Sequence, residues 1–281
     1  MLGVEISGSS PLSSGLSLVE AADGRRIVAK RGAGTGANAA EAAGLRWLGE
    51  PGDVPTPEVY GCDEDWLLLE HLPSAAPDVD AARDFGRGLA GLHLRGAPAF
   101  GAAPPGGPVD AWIGLAPMRN ITEDDWPAFF ATHRIEPYLR AARDDGALTA
   151  EQAAVITQVS DGLCDIAGPD EPPARLHGDA WNGNLHWSTG GVWLLDPAAH
   201  GGHRESDLAM IRLFGAPLLE HILDAYAEAA ADAGAPLADG WRDRVGLHQL
   251  FPLLVHTVLF GGGYAAQTVA AARSALKARA R

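Results

Sequence analysis

The chain has 281 residues, 47% apolar and 20% charged, and its 36 acidic side chains against 21 Lys and Arg leave a net charge of −15. That charge repels phosphate backbones and excludes nucleic acid as the expected partner. No apolar run reaches the ~18 residues of a membrane span, so no membrane partner is expected, and the length suits one large domain or two lobes.

The start, MLGVEISGSSPLSSG, lacks a basic segment followed by an apolar one. No secretory signal is expected, and the cytoplasm is the expected compartment. Within it, ISGSSPLSSG is expected as a small-residue loop whose backbone can approach a ligand. LSLVEAADGRRIVAKR, residues 16–31, reads as a hairpin, with Asp23 and Gly24 supplying the tight turn. A helix is expected from Thr35 to Leu48, with Asn38 as its candidate N-cap. A Pro-rich connection follows, then a short strand near Val59, a turn at Asp63 to Asp65 and the strand WLLLEHL.

After Pro73 the spacing becomes helical. The shift near residue 72 divides the chain into an N-terminal lobe, 1–72, and a C-terminal lobe, 73–281. Helices are expected in DAARDFGRGLAGLHLR, DDWPAFFATHRIEPYLRAARDDG and TAEQAAVITQVSDGLCDIAG, and again over 205–230 and 241–280. The Gly- and Pro-rich stretch from Ala97 to Asn120 has no clear period and is expected as a long loop. Cys62 and Cys164 stand far apart without a metal-ligand spacing and are read as buried thiols.

The densest chemistry lies in LHGDAWNGNLHW, residues 176–187, followed by VWLLD. Two apolar runs flank Ser-Thr-Gly-Gly, so a hairpin is expected. Pairing Trp187 with Val192 sets Leu185 against Leu194 and Asn184 against Leu195, and Asn184 and Asp196 then emerge at one end. Asp179 precedes Asn184 by five residues on a loop that Gly178 and Gly183 allow to turn sharply. An Asp and an Asn side by side offer hard oxygen ligands for Mg²⁺, and a second Asp can orient a hydroxyl. That is the chemistry of phosphoryl transfer.

With these residues in view, the sequence resembles the fructosamine kinase (ketosamine-3-kinase) family, a branch of the aminoglycoside-phosphotransferase and protein-kinase-like fold. The resemblance rests on LHGDAWNGN, LLDPAAHGGHRESDLAM, DDWPAFFATHR and LHQLFPLLVHTVLFGGGY, and more loosely on IVAK, the helix bearing Glu41, and LLLEHL. It implies a two-lobed α+β protein-kinase-like fold, with a small antiparallel-sheet N-lobe and a mainly helical C-lobe. The implied activity is ATP- and Mg²⁺-dependent phosphorylation of a small-molecule or protein-bound ketosamine, a fructosamine or ribulosamine, on the sugar 3-hydroxyl. That reaction would destabilise the adduct and repair glycation, and a monomer is expected.

Carried over residue by residue, the resemblance makes Asp179 the catalytic base and Asn184 and Asp196 the ligands of Mg²⁺. Lys30, held by Glu41, would contact the nucleotide phosphates, which suits a strand lysine aimed by a helix carboxylate. The backbone around Glu70 to Leu72 would meet the adenine edge. Trp181, two residues after Asp179, is assigned to stacking on the sugar. His177, Arg204 and Glu205 are read as structural, and His256 as a buried, hydrogen-bonded histidine. Two alternatives stay open: an aminoglycoside or other small-molecule hydroxyl kinase, and a non-catalytic nucleotide-binding protein.

Overall fold

Apolar residues in four strands of the first quarter of the chain, joined by a serine-rich edge strand, build one five-stranded antiparallel sheet. Its strands are β1 (Ile6–Ser13), β2 (Leu16–Ala21), β3 (Arg26–Arg31), β4 (Val59–Cys62) and β5 (Trp66–Glu70), in the order β1-β2-β3-β5-β4. The computed structural model describes residues 3–278. Side chains two apart share a face of a strand. Leu67 and Leu69 therefore pack with Ala42 and Leu45 of α1 (Ala37–Gly49), while Leu68 joins Val19, Ala21, Ile27 and Ala29 on the opposite face.

Three expectations change, two of them for this lobe alone. ISGSSPLSSG is not a loop: residues 6–13 pair with β2 as an edge strand, and the turn is confined to Ser14 and Gly15, with Gly15 at φ 77°. Ladder hydrogen bonds along β2 outweigh the low strand propensity of serine and glycine. Asn38 is no cap. Gly36, at φ 73°, precedes the helix, and the buried Asn38 amide instead donates to the carbonyl oxygens of Asp63 and Glu64, tying α1 to the β4–β5 turn. The thiols are also more accessible than expected, Cys62 being half-buried and Cys164 exposed.

The rest is mainly helical: α2 (Val79–Leu94), α3 (Trp126–Phe129), α4 (Glu136–Asp144), α5 (Ala150–Asp161), α6 (Leu163–Ile166), α7 (Glu205–Leu213), α8 (Leu219–Asp232), α9 (Val245–His248), α10 (Leu250–Phe260) and α11 (Gly262–Ala278). A π turn over Phe130–Ile135 joins α3 to α4. Three strand pairs are set among them: β6 (Asp110–Ile113) with β7 (Ala116–Arg119), β8 (Ala174–Leu176) with β11 (His200–Gly202), and β9 (Leu185–Ser188) with β10 (Gly191–Leu194). The first pair corrects the reading of Ala97 to Asn120, which folds in part into a hairpin although four-residue strands leave little periodicity to detect. In the β9–β10 hairpin Val192 faces Trp187 and Leu194 faces Leu185 as expected, but Ser188 and Gly191 also pair, leaving a two-residue turn.

DDWPAFFATHR and GHRESD prove to be parts of one internal brace. Asp125 caps α3 by accepting the Ala128 N–H at 2.8 Å. Trp126 stacks between Phe130 and His248, with ring centroids 4.7 and 4.6 Å away. The buried Arg134 donates to the Arg119 carbonyl oxygen and to Asn120 Oδ1, at 2.9 and 3.0 Å, and so fixes the base of the β6–β7 hairpin. Arg204 grips the Glu171 carboxylate, and Arg244 grips that of Glu205. These are structural roles for Arg204 and Glu205.

The loop between β8 and β9 hangs from α7. The fully buried Asp207 accepts the backbone N–H groups of His177 and Gly178 at 2.7 and 2.9 Å, and His93 Nε2 lies 3.2 Å away. His177 spans the loop from within: its Nε2 donates to the Leu195 carbonyl oxygen at 2.8 Å, and its Nδ1 accepts the Asp179 N–H at 3.2 Å. Both partners demand the same neutral tautomer. Burial also pushes the His177 pKa down, against the pull of Asp207. The ring is a strut and not a proton carrier. Gly178, at φ 80°, lies so close to Ala198 that a Cβ would meet its carbonyl oxygen, so glycine is required there.

Asp207→Ala should leave two buried N–H groups without partners and cost about 2–5 kcal/mol, read from urea unfolding. An unchanged unfolding midpoint would remove Asp207 as the anchor. A pH dependence follows from His200 and His203, both buried. Burial, aided by Arg134 and by His248 respectively, pushes each pKa from 6.5 down to about 3. The folded chain therefore refuses two protons that the unfolded chain accepts. Their contribution is full above pH 6.5 and is lost as pH falls toward about 3, with a slope of up to ~2.7 kcal/mol per pH unit. Asp179 and Glu41, whose carboxyls burial raises to about 8 and about 7, act in the opposite sense over this range, so the histidine share is read as a difference. The stability of the wild type relative to the His200→Asn, His203→Asn double variant should fall between about pH 7 and about pH 5, and a difference independent of pH would contradict this.

Candidate active site

β3 aims Lys30 into the cleft between sheet and helical lobe, and α1 and the loop after β10 bring two carboxylates to it. Lys30 Nζ lies 2.7 Å from Glu41 Oε2 and 2.9 Å from Asp196 Oδ1. The two carboxylates hold the Lys30 pKa up although burial works against it. Burial pushes the Glu41 carboxyl up to about 7 despite the neighbouring ammonium, and its Oε1 is buried with no partner. Asp196 sits at φ 50°, one of only two described non-glycine residues with positive φ, and its side chain is 50% exposed. This backbone, which Asp tolerates better than most residues, turns the carboxylate back toward Lys30 after β10 ends.

Asn184 closes the other side. Its Nδ2 donates to the Asp179 carbonyl oxygen at 2.9 Å, to Asp179 Oδ2 at 3.1 Å and to the Asp196 carbonyl oxygen at 3.4 Å. All three partners are acceptors, which fixes the amide orientation and leaves Oδ1 free of that network as a hard oxygen donor. Leu195 N–H donates to the Asn184 carbonyl oxygen at 2.9 Å, so the hairpin register itself delivers Asn184 and Asp196 to one end. Burial pushes the Asp179 carboxyl up to about 8; Asp196 and Asp207 add to this, while the Asn184 hydrogen bond and Lys30 oppose it.

Lys30, Glu41, Asp179, Trp181, Asn184 and Asp196 all line one cavity of about 370 Å³. Glu70 and Leu72 do not line it. They lie at the end of β5, where the Glu70 carboxylate accepts the Glu58 N–H and His71 N–H is spent on the Arg26 carbonyl oxygen. The cavity also takes the Ser14–Gly15 turn and, from the other lobe, Trp112, Gly114 and Leu115 of the β6–β7 hairpin. Trp112 crosses between the lobes. Its indole N–H donates to the Thr35 carbonyl oxygen at 3.1 Å, and its ring covers Gly34 so closely that a Cβ would collide. Sequence reasoning missed Trp112 because nothing in the local pattern tells an indole on a short hairpin from a core residue. It missed Asp207 as the loop anchor although GHRESD had been singled out, because the contact spans about thirty residues.

The donor set suits a divalent cation. Three carboxylates, those of Glu41, Asp179 and Asp196, converge on the Lys30 ammonium, with Arg31 also on the cavity wall, and a hard cation would offset the repulsion that remains for an anionic phosphate. Asp196 Oδ and Asn184 Oδ1 are the oxygens in position to hold one, Asp196 being the most exposed of the ionic cluster.

The sequence matches the family model described as fructosamine kinase over residues 29–278. A probable ketoamine kinase of Enterococcus faecium is 32% identical over 232 residues, covering 81% of this chain and 79% of its own. A solved Thermobifida fusca chain provisionally assigned as a fructosamine-3-kinase is 46% identical and superposes with a TM-score of 0.91, over 99% of this chain and 96% of that one. An aminoglycoside phosphotransferase solved with ADP and hygromycin B shares the fold at a TM-score of 0.65 and 16% identity, over 98% of this chain and 95% of its own. The protein has the two-lobed protein-kinase-like fold and belongs to the fructosamine kinase family, as an ATP-dependent phosphotransferase with a sugar hydroxyl as acceptor.

Proposed function

We propose that the cavity between the lobes phosphorylates the 3-hydroxyl of a ketosamine, a fructosamine or ribulosamine carried on an amine, and that the reaction serves deglycation. The observation that carries this reading is the seating of Lys30 between Glu41 and Asp196 beside an Asn184 amide locked onto Asp179. Lys30, steadied by Glu41, holds the nucleotide phosphates. Asn184 and Asp196 hold Mg²⁺, which when bound neutralises charge on the phosphates. The backbone from Glu70 to Leu72, at the division between residues 1–72 and 73–281, is assigned to the adenine edge. Since it stands outside the lined cavity and its Glu70 and His71 N–H groups are spent on Glu58 and Arg26, the adenine reaches past that cavity to the Leu72 N–H. Trp181 presents a ring to the sugar.

Asp179 accepts the proton of the sugar hydroxyl as its oxygen bonds to the γ-phosphorus and the bond from that phosphorus to the ADP oxygen breaks. Catalysis of this kind comes chiefly from positioning and charge neutralisation, which is why the loop carrying Asp179 is held by Asp207 and His177. The same charge balance favours an acceptor that is itself an amine, since its ammonium approaches a chain of net charge −15.

Asp179→Asn is expected to lower kcat by about 10²–10⁴ while the chain stays folded, with an unfolding midpoint at or above that of the wild type because the cost of burying the carboxylate is gone. Near-normal turnover by the folded variant would exclude Asp179 as the base. Lys30→Ala should raise KM for ATP; unchanged kinetics at low ATP would remove Lys30 from the nucleotide site. Assayed side by side with ATP and Mg²⁺, fructosyl-lysine and ribulosyl-lysine should be phosphorylated, with the phosphate located on the 3-hydroxyl by NMR. Phosphorylation of kanamycin alone would overturn the ketosamine reading in favour of an aminoglycoside kinase.

A further inference from the structure

The cavity wall at Trp181 continues outward as a chain of aromatic rings. Trp181 meets Phe214 edge-on with centroids 5.8 Å apart, Phe214 meets His256 at 5.2 Å, and His256 meets both Tyr264 at 4.9 Å and Phe260 at 5.5 Å. The rings come from the catalytic loop, the end of α7, α10 and the start of α11. Both ends are open: Trp181 is 37% and Phe260 61% exposed, while the three rings between are half-buried. Gly261, Gly262 and Gly263 follow Phe260 in the chain, and a Cβ on any of them would meet nothing within 4 Å.

His256 carries a polar group into this strip. Its Nδ1 lies 2.7 Å from the Pro252 carbonyl oxygen, which can only accept, so Nδ1 holds the proton. The other ring nitrogen, Nε2, is then a bare acceptor in the uncharged ring.

We propose that this strip is an extended acceptor subsite that holds the polypeptide carrying the ketosamine while the sugar lies at Asp179; the proposal rests on the ketosamine kinase reading. Three features fit a lysine-bearing peptide as the occupant. The strip is continuous with the catalytic cavity through Trp181, so an aglycone leaving the sugar runs onto it. Its contour, from Trp181 through Phe214 and His256 to Phe260, matches roughly four to five residues of extended chain, far more than a free sugar amine covers. Aromatic faces attract ammonium and guanidinium groups, and the −15 chain draws a basic peptide toward them. His256 Nε2 can accept a peptide N–H, and the rings bury the lysine methylenes.

Phe260→Ala tests this without touching the catalytic groups, and its exposure keeps the fold safe. Three acceptors are compared: free fructosyl-lysine, fructosyl-lysine at the centre of a basic pentapeptide, and fructosylated benzylamine. For the peptide acceptor, kcat/KM should fall about five- to tenfold through KM, with kcat retained. For free fructosyl-lysine and for the benzylamine adduct it should be unchanged. His256→Ala should show the same selective loss, rescued by His256→Gln, whose side chain restores an acceptor. Equal losses on all three acceptors would reduce the strip to packing between α7, α10 and α11. A loss on the benzylamine adduct matching that on the peptide would overturn the peptide assignment in favour of any apolar aglycone. Should the wild type phosphorylate the free ketosamine while Phe260→Ala leaves the peptide unaffected, the subsite falls and the kinase reading stands. Should the wild type phosphorylate none of the three and none of their ribulosyl counterparts, the ketosamine reading falls and the subsite with it; activity on the ribulosyl set alone moves the same comparison of variants to that set.

Discussion

One ammonium between two carboxylates organises this molecule. Lys30 belongs to the sheet, Glu41 to the helix behind it and Asp196 to the helical lobe, so the cluster joins three separately packed parts of the chain. A charge so far withdrawn from water is tolerated only when paired, and here each partner is held by unrelated constraints. Glu41 rides on α1, which the Asn38 amide ties to the β4–β5 turn and Trp112 ties to the far lobe. Asp196 is turned into place by a left-handed backbone at the end of a hairpin. Of these supports Asn38 stands outside the cavity lining, so its removal would loosen the cleft without a cleft residue being changed.

The second half of the site is organised by backbone hydrogen bonds. Asp207 takes two N–H groups of the loop after β8, His177 bridges that loop to the segment after β10, and Asn184 returns three donations to Asp179 and Asp196. None of these side chains has a free choice of rotamer once its partners are satisfied. Asp179 is therefore held rigidly, at the cost of burying a carboxylate whose pKa is pushed up to about 8 by that burial. Chemistry that works by positioning needs such rigidity more than it needs reactive groups.

Much of this was legible in the sequence, and the reasons differ by element. The β9–β10 register could be read because a two-residue period and a Gly-rich turn leave one pairing that buries Leu185, Leu194 and Val192 together. Lys30 and Glu41 could be placed through the family resemblance, which a strand lysine aimed by a helix carboxylate suits. β1 could not, because ISGSSPLS has no apolar alternation and is a strand only by virtue of its neighbour. The β6–β7 hairpin escaped for a similar reason, and with it Trp112. Asp207, His200 and His203 are tertiary facts: their sequence neighbours say only that a polar motif is present, and the partners that fix their roles come from distant elements. The family-specific motifs DDWPAFFATHR and GHRESD turn out to brace the helical lobe and suspend the loop carrying Asp179 without lining the cavity.

We propose that Asp196 answers to a divalent ion when nucleotide arrives, and otherwise to Lys30. Calorimetric titration of ATP with and without Mg²⁺, into wild type and Asp196→Ala, tests it most directly. Mg²⁺ should tighten ATP binding to the wild type by at least about tenfold, or ~1.4 kcal/mol, and should leave the variant's affinity nearly unchanged. Without Mg²⁺ the variant should bind ATP at least as well as the wild type, because a repelling carboxylate has gone. An equal Mg²⁺ effect in both proteins would contradict the assignment.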